Sequence, residues 1–196
     1  MNTSIICIDD QKGIRDAFQE ILGREPDFFD DILDKKDETT PFNTNIKYNL
    51  FVHVPLRTVE DSKKVQGIFI SSENGGGHVK NLYLRDKKKK NILLVAQQDQ
   101  TVDLKKLSKN LGFSNLSFGS PERLMQHLGV RPGSVTPLSM ITGVKNNVSL
   151  FLDKNLKSKS VIYIHPLVND RTIEMTIENL EKFFSKIGIS YMWTDL

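Results

Sequence analysis

Residues 75–90 read GGGHVKNLYLRDKKKK, a strand framed by three glycines on one side and a lysine run on the other. Read with a period of two, Val79, Asn81, Tyr83 and Arg85 point one way, while Lys80, Leu82 and Leu84 point the other. Lys80 therefore shares a face with two leucines, where an unpaired ammonium is costly to bury. Two outcomes are open to it: the side chain snorkels to the sheet edge, or it meets an anionic or carbonyl-bearing ligand in a pocket.

Outward from this strand, helices and strands mix without strict alternation. An extended segment over 46–54 leads to Thr58, which caps a helix with Asp61 in the capping-box position, and Gly67 ends it. Strands are expected at GIFIS (67–71), VKNLYLR (79–85) and NILLVA (91–96), with turns at 74–77 and 86–90. A helix over 103–111 ends at Gly112, LSF (116–118) is a short strand, and Ser120 with Pro121 caps and opens the helix ERLMQHL. After the loop RPGSVTPL come strands VSLFL and SVIYI, a strand near TIEM, a helix capped by Thr176 and a last extended segment ending in Trp193. The class is α+β.

The chain has 196 residues, enough for one domain with an N-terminal addition and a core that needs no staples. Its single cysteine, Cys7, excludes an internal disulfide and suits a reducing compartment; with no histidine or cation nearby in sequence it reads as a small apolar side chain, not a nucleophile. No apolar run reaches the ~20 residues of a membrane span, and the acidic N-terminus lacks the positive charge of a signal peptide. A cytoplasmic protein is expected.

Charge is unevenly spread. Residues 1–40 hold eleven acidic and five basic side chains, whereas 41–196 hold thirteen acidic and twenty-two basic, so the body alone carries about +9. That balance favours a polyanionic partner through counterion release, although a lysine-rich face also keeps a protein soluble. The division into an acidic extension, 1–40, and a body, 41–196, follows from the same asymmetry. Within the extension, Asp9 or Asp10 caps one amphipathic helix that Gly23 stops, a second follows Pro26, and DKKDETTPFNTN reads as a linker.

Several constellations bear on chemistry. Gly75, Gly76 and Gly77 lack the following helix of a phosphate-binding loop and read better as a flexible hairpin tip. Lys87, Lys88, Lys89 and Lys90 form either a solvated turn or a phosphate contact one strand length from Lys80. Gly133 and Pro137 bracket a loop in which Pro132 and Pro137 restrict the backbone and Gly133 frees it. Such a loop can present fixed dipoles of the kind that stabilise an oxyanion, or it is a rigid turn. His165 ends an apolar strand before Pro166, a position that suits a hydrogen-bonded structural residue. His53, His78 and His127 lack metal-ligand spacing, and no Ser, His and Asp set marks a hydrolytic triad, so neither metal nor cofactor is expected.

The words KNLYLRDKKKK, LSFGSPERLMQHLGVRPGSVTPL and IYIHPLVND, in this order and spacing, resemble the YbaK-type editing family, in its free-standing branch that trims alanine from wrongly charged proline tRNA. The similarity runs from about Tyr48 to Leu196; residues 1–40 carry none of its motifs. The resemblance implies a curved, barrel-like mixed sheet flanked by helices. It places the family lysine on Lys80, the following asparagine on Asn81, the G-x-x-x-P loop on Gly133, Ser134, Val135, Thr136 and Pro137, and the HPL histidine on His165. In the family these line the cleft for the terminal adenosine and its aminoacyl ester, and loop backbone groups and a substrate hydroxyl do the chemistry without a protein nucleophile. A stem contact falls on Arg85, while a second position, often basic in the family, is Asn115 here.

The reading that follows is a trans-acting aminoacyl-tRNA deacylase acting on alanyl-tRNA of the proline anticodon. Its partners would be the acceptor end of that tRNA and prolyl-tRNA synthetase, with no membrane. A proline-shaped synthetase pocket admits the smaller alanine, because each lost methylene costs only about 1–3 kcal/mol of discrimination, so a second, smaller sieve is needed. Two rivals stay open: the same fold editing serine, threonine or cysteine, and a non-catalytic module that binds tRNA or the synthetase.

Overall fold

The computed structural model describes residues 46–56 and 58–196. The two helices and the linker expected in the N-terminal segment, and Cys7, lie outside the described residues.

Among the described residues eight strands form one mixed sheet: β1 (Asn49–Val52), β2 (Gly76–Arg85), β3 (Asn91–Gln97), β4 (Ser117–Phe118), β5 (Val148–Asp153), β6 (Val161–Ile164), β7 (Arg171–Met175) and β8 (Tyr191–Thr194). Their order is β1-β7-β6-β2-β3-β5-β8, with β4 paired to β2 off that path. The sheet is mixed, as the α+β reading requires, but it is open: its path ends at β1 and β8 and does not close into a barrel. β2 is the longest strand because its alternating pattern continues for ten residues, and it joins the two halves of the sheet. β3 is an apolar run, NILLVA, buried along its length between antiparallel β2 and parallel β5.

Among the described residues five helices accompany the sheet: α1 (Val59–Val65), α2 (Leu104–Asn110), α3 (Pro121–Leu128), α4 (Met140–Gly143) and α5 (Ile177–Lys186). Their starts follow the sequence. Thr58, Asp103, Ser120 and Thr176 each accept a backbone N–H of the first turn through a side-chain oxygen. One core cluster gathers Leu84, Ile92, Leu94, Ala96 and Phe151 of the sheet with Leu107 of α2 and Leu116 before β4. In α5, Leu180, Phe183 and Phe184 are fully buried. No helix among the described residues is long and apolar enough to cross a membrane.

Two local expectations fail, for one reason. GIFIS is not a strand: Gln66–Ile68 forms a 3-10 turn and Ser72–Asn74 another. Side chains take the backbone groups that a strand partner would have used. Tyr163 Oη accepts the Ile70 N–H at 2.9 Å, and His78 Nε2 donates to the Ile70 carbonyl at 3.0 Å. The glycine triplet is not a flexible tip either. Gly76 and Gly77 begin β2, buried in parallel register with Val161 and Ile162 of β6. A Cβ on Gly76 would fall 1.9 Å from the Ile70 carbonyl oxygen, so glycine is required there by the close approach of two backbones.

Gly76→Ala should therefore destabilise the domain by about 2–3 kcal/mol, the cost of overpacking where backbone has to move. Urea unfolding of the purified variant checks this, and Gly67→Ala, where a Cβ meets open space, is the control.

Candidate functional site

The site arises from a gap in the sheet. On the edge of β2 away from β3, β6 pairs with residues 76–78 and β4 with Leu84 and Arg85. Residues 79–83 have no strand partner on that edge among the described residues. The loop that follows α3 fills the gap: Asn81 Nδ2 donates to the Val135 carbonyl at 2.8 Å. Around this contact lies a cleft of about 240 Å³, lined by Lys80, Asn81, Gly133, Val135 and His165, with Thr58 and Ser62 of the opposite wall. A smaller recess of about 40 Å³ shares Asn81, Gln98 and His165 with the cleft and reaches Phe69, His78 and Tyr163.

Lys80 and Asn81 are neighbours in sequence on opposite faces of β2, yet both line the cleft, because the cleft wraps the unpaired edge of the strand. The Lys80 ammonium donates to the Gln100 carbonyl, which holds it beyond the leucines that share its face. Asn81 spends its Nδ2 on Val135, and its Oδ1 is buried with no hydrogen-bond partner. An orphaned acceptor of this kind costs about 1–3 kcal/mol until a donor reaches it.

Gly133 holds φ at 90°, in the left-handed region that glycine adopts freely, and so permits the turn closed by the Ser134 N–H donating to the Arg131 carbonyl at 3.0 Å. Thr136 and Pro137 are buried behind the loop and do not line the cleft; Ser134 does not line it either. They frame it instead: Thr136 Oγ1 accepts the Leu138 N–H, and the Thr136 carbonyl accepts Ser139 Oγ at 2.6 Å.

His165 Nδ1–H donates to the Arg171 carbonyl at 3.0 Å, which leaves Nε2 as an acceptor. Burial lowers its pKa below the usual histidine value; the Arg171 carbonyl pulls the other way, and the charge of nearby His53 lowers it further. Two residues on, Leu167 sits at φ 68°, a left-handed conformation that costs a leucine about 1–2 kcal/mol, and its side chain is buried. Backbone strain of this kind is often found beside functional residues.

The basic residues lie at the far end of β2. Asp86 organises their turn: burial raises its carboxyl pKa, but backbone N–H groups of Lys90 and Lys88 and the Ser114 hydroxyl overcome this and hold it below the usual carboxylate range. Lys87, Lys88, Lys89 and Lys90 all face solvent, with Lys89 at φ 64°, and Arg85 is half-buried. Asn115, where a basic residue is common in the resembling family, takes φ 42°, a conformation asparagine tolerates well.

Sequence reasoning missed Gln98, Thr58 and Ser62. Gln98 is buried at the end of β3, its backbone N–H donating to the His78 carbonyl at 2.8 Å and its Oε1 accepting Gln66 Nε2 at 2.8 Å. The available signal was a glutamine pair directly after an apolar strand. Thr58 read only as a cap.

A sequence model of the aminoacyl-tRNA editing domain matches residues 53–183, and the chain belongs to that family. It is similar to the prolyl-tRNA editing protein ProX of Acetoanaerobium sticklandii, with 36% identity over 152 residues covering 77% of this chain and 90% of that one. It is also similar to prolyl-tRNA synthetase associated domain-containing protein 1 of Danio rerio, with 31% identity over 144 residues covering 72% and 76%. Two solved structures share the fold. One, hypothetical protein APE2540, has a TM-score of 0.59 at 17% identity, covering 76% of this chain and 91% of that chain. The other, described as a candidate trans-editing enzyme for prolyl tRNA synthetase, has a TM-score of 0.57 at 19% identity, covering 76% and 85%.

In a pH titration followed by NMR, the His165 ring should titrate below the ordinary histidine value of about 6.5 and stay neutral at pH 7 with the proton on Nδ1. A midpoint above that value would contradict the burial argument.

Proposed function

We propose that this chain is a trans-acting deacylase that removes alanine from mischarged proline tRNA, with the terminal adenosine in the cleft and the aminoacyl side chain in the recess. The recess carries this reading. Its volume of about 40 Å³ holds about three water-sized groups, which suits a methyl group and an attacking water. The family and the relatives named for prolyl-tRNA editing support the same conclusion.

In this mechanism water attacks the ester carbonyl carbon, the bond between that carbon and the ribose oxygen breaks, and the ribose oxygen leaves with a proton. The chain supplies orientation and charge. Lys80 holds the terminal phosphate or the ester end. Asn81 Oδ1, lacking a donor in the free protein, accepts from the α-ammonium group, so substrate removes the desolvation cost that the empty site carries. His165 Nε2 orients the aminoacyl group as an acceptor, a role that needs the neutral ring its burial favours. The Gly133 loop positions the water. Fixed dipoles of this kind aimed at a developing oxyanion contribute about 10²-fold each or more. Recess size favours alanine over threonine among the amino acids a related sieve would edit. Arg85 and Lys87–Lys90 would take phosphates of the acceptor stem and position it without reading bases. Prolyl-tRNA synthetase is the expected upstream partner, since it makes the mischarged tRNA.

The test presents purified protein with proline tRNA charged with alanine, serine, cysteine, threonine or proline and measures release of each amino acid. Alanine should leave fastest and proline should remain; equal release of all five, or release of none, would overturn the reading. Lys80→Ala should cut kcat/KM on the alanyl substrate about 100-fold while circular dichroism is unchanged, as befits loss of a charged hydrogen bond in a cleft.

Replacing Lys87–Lys90 with glutamine should weaken tRNA binding and reduce its salt slope by up to about 3, leaving turnover at saturating tRNA intact. Filter binding over a range of salt concentrations reads this directly.

A further inference from the structure

Resting on the deacylase reading, we propose that Phe118 is a stacking platform for the unpaired nucleotide preceding the terminal adenosine of the tRNA. Phe118 is 64% exposed, and no other aromatic ring stands among the strongly exposed large apolar residues of the described chain. A single exposed apolar side chain is ordinary in itself. Its place decides the matter.

β4 pairs antiparallel with β2 so that Phe118 lies opposite Leu84 and Ser117 opposite Arg85. Cross-strand partners share a face, so Phe118 joins the row Lys80, Leu82 and Leu84. Lys80 and Leu82 line the cleft. Leu84 is fully buried, so Phe118, diagonal to Leu82 across the β2–β4 ladder at about 7–8 Å, is the next exposed side chain beyond the cleft on that face. That distance is one nucleotide step of an unstacked chain.

The backbone beside the ring is also held in place. Gly119, directly after it, donates its N–H to the Tyr83 carbonyl at 3.0 Å, and a Cβ on Gly119 would fall 2.3 Å from the Tyr83 ring. Charge fits the occupant. The exposed lysine turn is tied to the segment that leads into β4 by the Lys87 N–H donating to the Ser114 carbonyl at 3.0 Å. The neighbouring carboxylate, Asp86, is buried and spent on hydrogen bonds within the turn. An exposed aromatic ring beside a nucleotide-sized cleft, with a lysine turn tied to the same segment, is the kind of surface that single-stranded nucleic acid uses, because every base offers a π-face.

The experiment compares wild type, Phe118→Ala and Phe118→Trp in two assays. In the first, the substrates are alanyl-adenosine and an alanyl ester of the trinucleotide CCA. Phe118→Ala should raise KM on the trinucleotide roughly tenfold with kcat unchanged, and leave alanyl-adenosine hydrolysis as it was, while Phe118→Trp stays near wild type. Equal losses on both substrates, or no loss on the trinucleotide, would overturn the proposal. In the second, fluorescence anisotropy follows a 5′-fluorescein single-stranded RNA ending in CCA and a blunt RNA duplex. Phe118→Ala should weaken the single strand roughly tenfold and leave the duplex unchanged. Unchanged single-strand affinity sinks the platform whatever hydrolysis shows. A wild type that hydrolyses neither ester while the binding difference persists removes the deacylase reading and leaves the platform standing.

Discussion

The hydrogen bond from Asn81 Nδ2 to the Val135 carbonyl is the constraint on which the site depends. β2 loses one strand partner after His78 and gains another at Leu84, and five residues between them present an edge that no strand among the described residues covers. An uncovered edge invites pairing with another chain. Here a loop with a glycine at φ 90° and buried Thr136 and Pro137 behind it occupies the edge through one side-chain contact instead of a ladder. A ladder would have filled the space. A single amide contact leaves room beside it, and that room is the cleft.

The polar groups of the cleft divide the labour between structure and ligand. Asn81 gives its donor to the loop and keeps its acceptor. His165 gives its Nδ1 proton to Arg171 and keeps Nε2. Gln98 Oε1 accepts from Gln66 Nε2. Each side chain is oriented by a bond to one partner, so little reorganisation is left for the moment a ligand binds. The wall beneath is equally fixed: Tyr163 Oη donates to Glu174 Oε2 at 2.6 Å and stacks on His78 at 4.9 Å, and burial with the Glu174 carboxylate pushes the Tyr163 pKa up to about 12.

Much of the fold was legible because it is local. Caps at Thr58, Asp103, Ser120 and Thr176 need only a side-chain oxygen and the next turn, and the apolar run of β3 announces burial by itself. GIFIS misled because its apolar residues are β-branched or aromatic, whereas what decides its conformation is non-local: Tyr163 and His78 claim the Ile70 backbone from 93 and 8 residues away. Glycine at 76 and 77 has two possible meanings, freedom or close approach, and only the position of Ile70 selects the second. In the site, Lys80 stood out as a charge on an apolar face. Asn81 and the loop gained their meaning from a gap that involves β6, β4 and residue 135, which no periodicity shows. Gln98 and Ser62 were invisible for the same reason: their place in the lining comes from what lies opposite.

Lys80 and Asn81 face opposite sides of β2, and this makes the site a property of alignment as much as of composition. The ladder that sets Val79 against Gln97 and Arg85 against Asn91 determines which of the two turns toward the leucine row and which toward the loop. Slipping that ladder by one residue would exchange them. The amide would then face the apolar core and the ammonium would meet the Val135 carbonyl. Substitutions at the apolar positions of β2 and β3 are thus tolerable to the extent that they preserve side-chain size, whereas a single-residue insertion or deletion in the turn that Asp86 ties together would scramble the cleft without touching any residue in it. The distant turn is a timing mark for the strand, and its carboxylate keeps the count.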